Sequence, residues 1–179
     1  MVNSLIKIIA GFIIIVGAGL SAAGQESAEW KRFVSTEGHF SVLLPQAPDV
    51  HAVPLTSSSG ITVLLNMTLI PGNDGDLATY MVSYVDYSVD LDEGSIDAMR
   101  DGGLKRGKAT LVREKKISLN GYVGREVEAM NEISFLQFRI FLVGRRSYYV
   151  AYAWSKQADQ TLAFGNATKY FASFELDRK

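Results

Sequence analysis

Asn120-Gly121 separates two runs of strand periodicity, residues 110–119 and residues 122–130. Both positions tolerate positive φ, so the pair is a strong hairpin signal. Gly144-Arg145 repeats the device between residues 134–143 and residues 147–154. Connections this short leave no room for a crossover, so the strands they join are antiparallel. Within residues 134–143, Leu136, Phe138, Ile140 and Leu142 share one face. Tyr148, Val150, Tyr152 and Trp154 align in the next strand. Alternating positions of this kind fill a core more often than they line a pocket.

The segment before this run reads the same way. "WKRFVSTEGHFSVLLPQAP" spans Trp30 to Pro48, and Phe40, Val42 and Leu44 alternate within it. Pro45 and Pro48 end that strand, because proline cannot donate to a ladder. Trp30 and Phe33 precede it as apolar anchors. Residues 49–60 are polar and turn-rich and predict a loop. Residues 61–70, "ITVLLNMTLI", predict a second strand, and residues 79–89 a third. Residues 90–107 predict a helix, capped by Asp90 or Asp92 and stopped near Gly107. A last helix is expected over residues 159–172. Ala163, Ala167, Tyr170, Phe171 and Phe174 mark its buried face. The fold class is therefore α+β, with one antiparallel sheet of six or seven strands flanked by two helices.

Residues 1–24 look like a secretory signal peptide. Lys7 supplies the positive start, "IIAGFIIIVGAGL" the apolar stretch, and Ser21, Ala22, Ala23 and Gly24 the small residues. The alternative is a membrane anchor over residues 5–23, shorter than the roughly 20 apolar residues that a spanning helix needs. Residues 25–179 then form a single exported domain, periplasmic or extracellular. The chain has no cysteine. That excludes disulfides, thiol catalysis, thiolate metal sites and a lipid-bearing cysteine. About 155 mature residues bury roughly 68–70% of the unfolded chain's surface, so bridges are not required.

Net charge is −1, which gives no field to attract nucleic acid. The basic run "LKRGKATLVREKK" lacks the interleaved aromatics that stack on bases. Charge is segregated along the chain. From Phe33 to Met99 there are nine acidic residues and no Lys or Arg. From Arg100 to Lys156 there are twelve basic residues against five acidic ones. The expectation is that the halves neutralise each other across the sheet. The alternative is a bipolar surface that docks a charged partner.

Catalytic chemistry finds little to work with. The two histidines are His39 and His51, and there is no G-x-S-x-G elbow. A triad of His51 with a serine of residues 57–59 is conceivable, but solvated loop residues are the expected reading of such a polar stretch. "NDGD" (residues 73–76) and "DLDEG" (residues 90–94) hold calcium-type oxygens without the spacing of a complete loop. Glu126 and Glu128 share a strand face, where cross-strand ion pairs to Arg113 or Lys115 account for them better than acid–base work.

Four stretches together carry a resemblance. They are the Trp30–Pro48 segment, "LNGYVGRE" from Leu119 to Glu126, "FLVGRRSYYV" from Phe141 to Val150, and "YFASFEL" from Tyr170 to Leu176. In order and spacing the chain resembles exported bacterial domains of the PsbP-like fold, shared by photosystem PsbP proteins, a Ran-binding factor and Lpq-type lipoproteins. The resemblance implies a layered α+β domain with no enzymatic activity and no cofactor, acting through protein contacts. The expected function is thus an exported accessory or binding domain for an envelope or periplasmic protein. A carrier of a small apolar ligand, held between sheet and helices, is the alternative. Lys115, Lys116, Arg145 and Arg146, near two strand ends, are the expected contact residues.

Overall fold

A computed structural model describes residues 29–56, 60–71 and 77–177. The expected signal peptide (residues 1–24) and alternative anchor (residues 5–23) lie outside the described residues. So do the serines at residues 57–59 and the oxygens at residues 73–76. The described elements are β1 (Lys31–Ser35), β2 (Phe40–Leu44), β3 (Asp49–Thr56), β4 (Thr62–Ile70), β5 (Ala78–Asp86), α1 (Glu93–Arg106), β6 (Thr110–Leu119), β7 (Tyr122–Met130), β8 (Ser134–Val143), β9 (Arg146–Ser155), α2 (Gln160–Ser173) and β10 (Glu175–Leu176).

Seven strands form the main sheet, in the order β3-β4-β5-β9-β8-β7-β6. Every neighbouring pair is antiparallel. Asn120 (φ 53°) and Gly121 (φ 84°) both turn left-handed, as the β6–β7 hairpin requires. The α+β class and the two flanking helices follow the sequence expectation. Two details differ from it. β2 leaves the main sheet and pairs with β1 and β10 in a second, three-stranded sheet. Its place in the main sheet is taken by β3, where a loop was expected. β3 runs its whole length against β4, from Asp49 opposite Leu69 to Thr56 opposite Thr62. It escapes notice in the sequence because it is an edge strand with no fully buried residue, so its apolar alternation is faint. Pro54 is tolerated there because an outer edge needs no N–H donor.

The main sheet has two covered faces. On one, α2 and the small sheet bury an aromatic core. Phe40, Val42 and Leu44 of β2 meet Tyr84, Tyr148 and Phe174. Tyr80 sits 4.8 Å from Tyr152 and 5.3 Å from Tyr170, ring centre to ring centre. The Tyr170 hydroxyl donates to the Met81 carbonyl at 2.9 Å. On the opposite face α1 brings Ile96 and Met99 onto Leu65, Met67, Val127, Phe138 and Ile140. β5 lies between the two cores and is buried on both sides except at Asp86.

The helix ends follow local chemistry. Asp92 caps α1, accepting from the Ser95 amide at 2.9 Å, while Ser95 Oγ accepts from the Asp92 amide at 3.2 Å. Glu93 lies in the first turn and Lys105 and Arg106 in the last, each at the helix end that its charge favours. Asp159 caps α2 through the Leu162 amide at 3.0 Å. The α2 face of Ala163, Ala167, Tyr170 and Phe171 is buried as its spacing predicts.

Candidate functional site

Four separate segments converge at one end of the main sheet. The β8–β9 turn sets Gly144 at φ 61° and delivers Arg145 and Arg146. The β1–β2 turn delivers His39, itself at φ 53°. β5 ends at Asp86, and β10 leads into Asp177. Between them lies an open cleft of about 580 Å³. Tyr122, Val143, Tyr148 and Leu176 contribute its apolar lining, and His39, Asp86, Arg145, Arg146 and Asp177 its polar groups.

Arg146 organises the cleft. Its Nε and Nη2 donate to the two carboxylate oxygens of Asp86 at 2.6 and 2.7 Å. Nη1 donates to the Glu37 carbonyl at 2.9 Å. The guanidinium lies 4.6 Å from the centre of the Tyr84 ring, a cation–π contact. The Asp86 carboxylate raises the Arg146 pKa above its ordinary value, so the charge is fixed. The Tyr148 hydroxyl donates to the Gly38 carbonyl at 2.8 Å, and burial raises its pKa. It is therefore a neutral structural donor. His39 Nδ1 lies 3.7 Å from an Asp177 oxygen, and both side chains are about half exposed. The Asp177 amide donates to the His39 carbonyl at 3.0 Å, which fastens the end of β10 to the turn. Arg145 donates to Asp90 at 3.0 Å from an exposed position.

This arrangement can bind. Among the described residues the cleft lining contains no serine, threonine or cysteine, and its one histidine faces an aspartate in solvent. His51, on β3, is exposed on the sheet edge. Among the described residues no cluster of three or more His, Asp or Glu side chains has metal-holding geometry. No described helix is long and apolar enough to cross a membrane.

The structure separates the four expected contact residues. Arg145 and Arg146 both line the cleft. Lys115 and Lys116 lie within β6, and strand alternation sends them to opposite faces. Lys115 reaches Glu126 at 2.7 Å, and Lys116 reaches Glu93 at 2.9 Å. Each of the four bases has a carboxylate partner: Glu126, Glu93, Asp90 and Asp86 respectively. Three of those partners come from the acidic half of the chain, so these pairs join the two halves, whereas Lys115–Glu126 lies within the basic half. Asp86, His39 and Asp177 are the cleft residues that the sequence did not reveal. They are far apart in the chain, and no local spacing links them.

The Glu126–Glu128 face is paired across strands as expected, with Arg113 holding Glu128 and Lys115 holding Glu126. Glu126 is not solvated, however. It is 3% exposed and also accepts from Arg139 at 2.6 Å. Burial works to raise its pKa, but the hydrogen bonds and charges of Lys115 and Arg139 prevail, and it stays below the ordinary carboxylate value. Arg139 is fixed in turn by the Phe171 carbonyl and ring.

No protein-family model and no curated protein matches the chain. Among solved structures the chain is similar to cyanobacterial PsbP (CyanoP) from Synechocystis, at 13% identity and a TM-score of 0.49, covering 87% of this chain and 97% of that one. It is also similar to a protein from Bacteroides thetaiotaomicron, at 14% identity and a TM-score of 0.40, covering 83% of this chain and 49% of that one. Those values describe a likeness in overall arrangement alone.

Proposed function

We propose that this chain is an exported, non-enzymatic binding domain that seats a segment of a periplasmic or envelope protein in the cleft at the end of its main sheet. The observation that carries this reading is the combination of an apolar floor with fixed charges of both signs. A peptide segment offers matching chemistry: apolar side chains for Tyr122, Val143 and Leu176, and charged groups for Arg145 and Asp177. Clefts with a few converging polar groups on an apolar lining are the usual form of a recognition site. The carrier alternative draws less support. Between α2 and the sheet, where it would place its ligand, Tyr80, Tyr152 and Tyr170 are 0–1% exposed and pack on one another.

The test uses charge reversal of cleft residues that the core does not need. Arg145→Glu and Asp177→Lys are both at exposed positions. Partner capture from an envelope extract should fall at least tenfold for the double variant and weaken as salt rises, because exposed charges are screened. Unchanged capture by the double variant would remove the cleft from consideration. Determining the N-terminal residue and mass of the mature protein tests the export reading separately. Retention of residues 1–24 on a protein that stays in the cytoplasm would reject it.

A further inference from the structure

The two outer edges of the main sheet are built differently. β6, at one edge, carries Arg113, Lys115 and Lys116 and breaks register between Leu111 and Arg113. Charges and a bulge are the devices that keep a free edge from pairing with another chain. β3, at the other edge, has neither. Its only titratable residues are Asp49 and His51 at one end, and its pairing with β4 is continuous. Val50, Ala52 and Pro54 lie on the same face of the sheet as Leu64 of β4. At this edge no described residue covers that face: Val50 is 64% exposed and Leu64 49%, whereas Thr68, further along β4, is buried. Pro54 is the one residue that limits pairing, and it removes a single donor.

We infer that β3 pairs edge to edge with β3 of a second copy of this chain, joining two seven-stranded sheets across a two-fold axis at Ala52. A two-fold contact sets a strand antiparallel to itself. With Ala52 facing Ala52, Val50 faces Pro54, His51 faces Val53 and Asp49 faces Leu55. No charge meets a like charge, so the strand is complementary to its own sequence. The same pairing joins Val50, Ala52, Pro54 and Leu64 of both copies into one apolar stripe. β6 cannot do this. Reversed against itself it would bring Arg113, Lys115 and Lys116 onto a second set of the same charges. The cleft lies elsewhere, beyond the β8–β9 turn, so this inference stands or falls apart from the proposed function.

The absence of cysteine makes the test clean. Opposed residues of an antiparallel pair have Cβ atoms about 4.5–5.5 Å apart, close enough for a disulfide with slight adjustment. In the chain as it accumulates in cells, Ala52→Cys should oxidise to a covalent dimer at least tenfold faster than Val112→Cys, an exposed control on the β6 edge. Sedimentation should show a dimer for the unaltered chain. Val50→Lys, at an exposed position with no core contact to lose, should weaken it at least tenfold while leaving the thermal transition unmoved. Equal cross-linking at the two cysteines overturns the inference. So does an unaltered chain that sediments as a monomer at every concentration, even if the strand of a different protein proves to fill the edge.

Discussion

The two faces of the main sheet are held by different physics. Under α2 and the small sheet the contacts are ring on ring. Phe40 touches the rings of Phe33, Tyr84, Tyr148 and Phe174, and Tyr170 those of Tyr80, Tyr152 and Phe171. Under α1 the centre is mostly aliphatic, with one stacked ring pair, Phe138 on Tyr149, and the border is ionic. Glu114 there accepts from Arg100 at 2.9 Å and from Arg125 at 2.8 Å, and Arg125 reaches on to Asp97 and Glu93. Helix α1 buries only Ser95, Ile96 and Met99, whereas α2 buries five residues, among them two large rings. Apolar burial gives α2 most of its hold, about 1.5–3 kcal/mol for each large side chain removed from water. α1 leans on charge pairs whose net value is smaller and depends on solution conditions. One sheet thus anchors a firm layer and a conditional one.

Four measurements test that contrast. The largest effect is expected from Tyr170→Ala. It removes a fully buried ring and a hydrogen bond to Met81, and it should cost roughly 3–5 kcal/mol in denaturant unfolding. A loss below about 1 kcal/mol would show that the aromatic layer is not the main support. Next comes Glu114→Ala, which strips two mostly buried arginines of a shared partner. About 1–3 kcal/mol is expected, less than for a sealed ion pair because some water reaches the site.

The third measurement is hydrogen exchange under acid. The Ser95 side chain and amide lower the pKa of Asp92, and the Lys116 ammonium lowers that of Glu93. A depressed folded pKa contributes stability above the ordinary carboxylate range and loses it as pH falls through the folded value. Protection of α1 amides should therefore decline before that of α2 as pH drops below the usual carboxylate pKa. Equal decline would mean that the two layers open as one unit. The smallest effect belongs to Lys116→Ala. Its pair with Glu93 is between side chains 73% and 56% exposed, so the change in stability should stay within about 0.5 kcal/mol. A larger loss would show that the ionic border couples more tightly than its exposure implies.

How much of this was legible depends on the kind of signal. The β6–β7 hairpin needed only Asn120 and Gly121, because positive φ at two adjacent residues admits few other outcomes. The face of α2 needed only its apolar spacing. β3 was hidden for the same reason that makes it interesting: an edge strand exposed on most positions carries little hydrophobic period. β1, with its mixture of Lys31, Arg32, Phe33 and Val34, was read as anchors and not as a strand. Its pairing partner β2 completes the ladder, and no property of residues 31–35 alone announces it. At the cleft, Arg145 and Arg146 stood out as a charged pair beside a turn. Asp86, His39 and Asp177 did not, since each is unremarkable in its own segment.

Local rules bind residues a few positions apart, and within that range they settle a great deal. They settle the two tight hairpins, a start for α1 at Asp90 or Asp92, the antiparallel α+β class and the aromatic stripe that became the core. Where strands distant in the chain come to lie is set by packing instead. β2 moved to a second sheet, β3 was left at an open edge, Lys115 and Lys116 were parted, and four segments met around Arg146. Those outcomes follow from packing two layers on a twisted sheet, a balance among contacts that no short stretch of sequence contains.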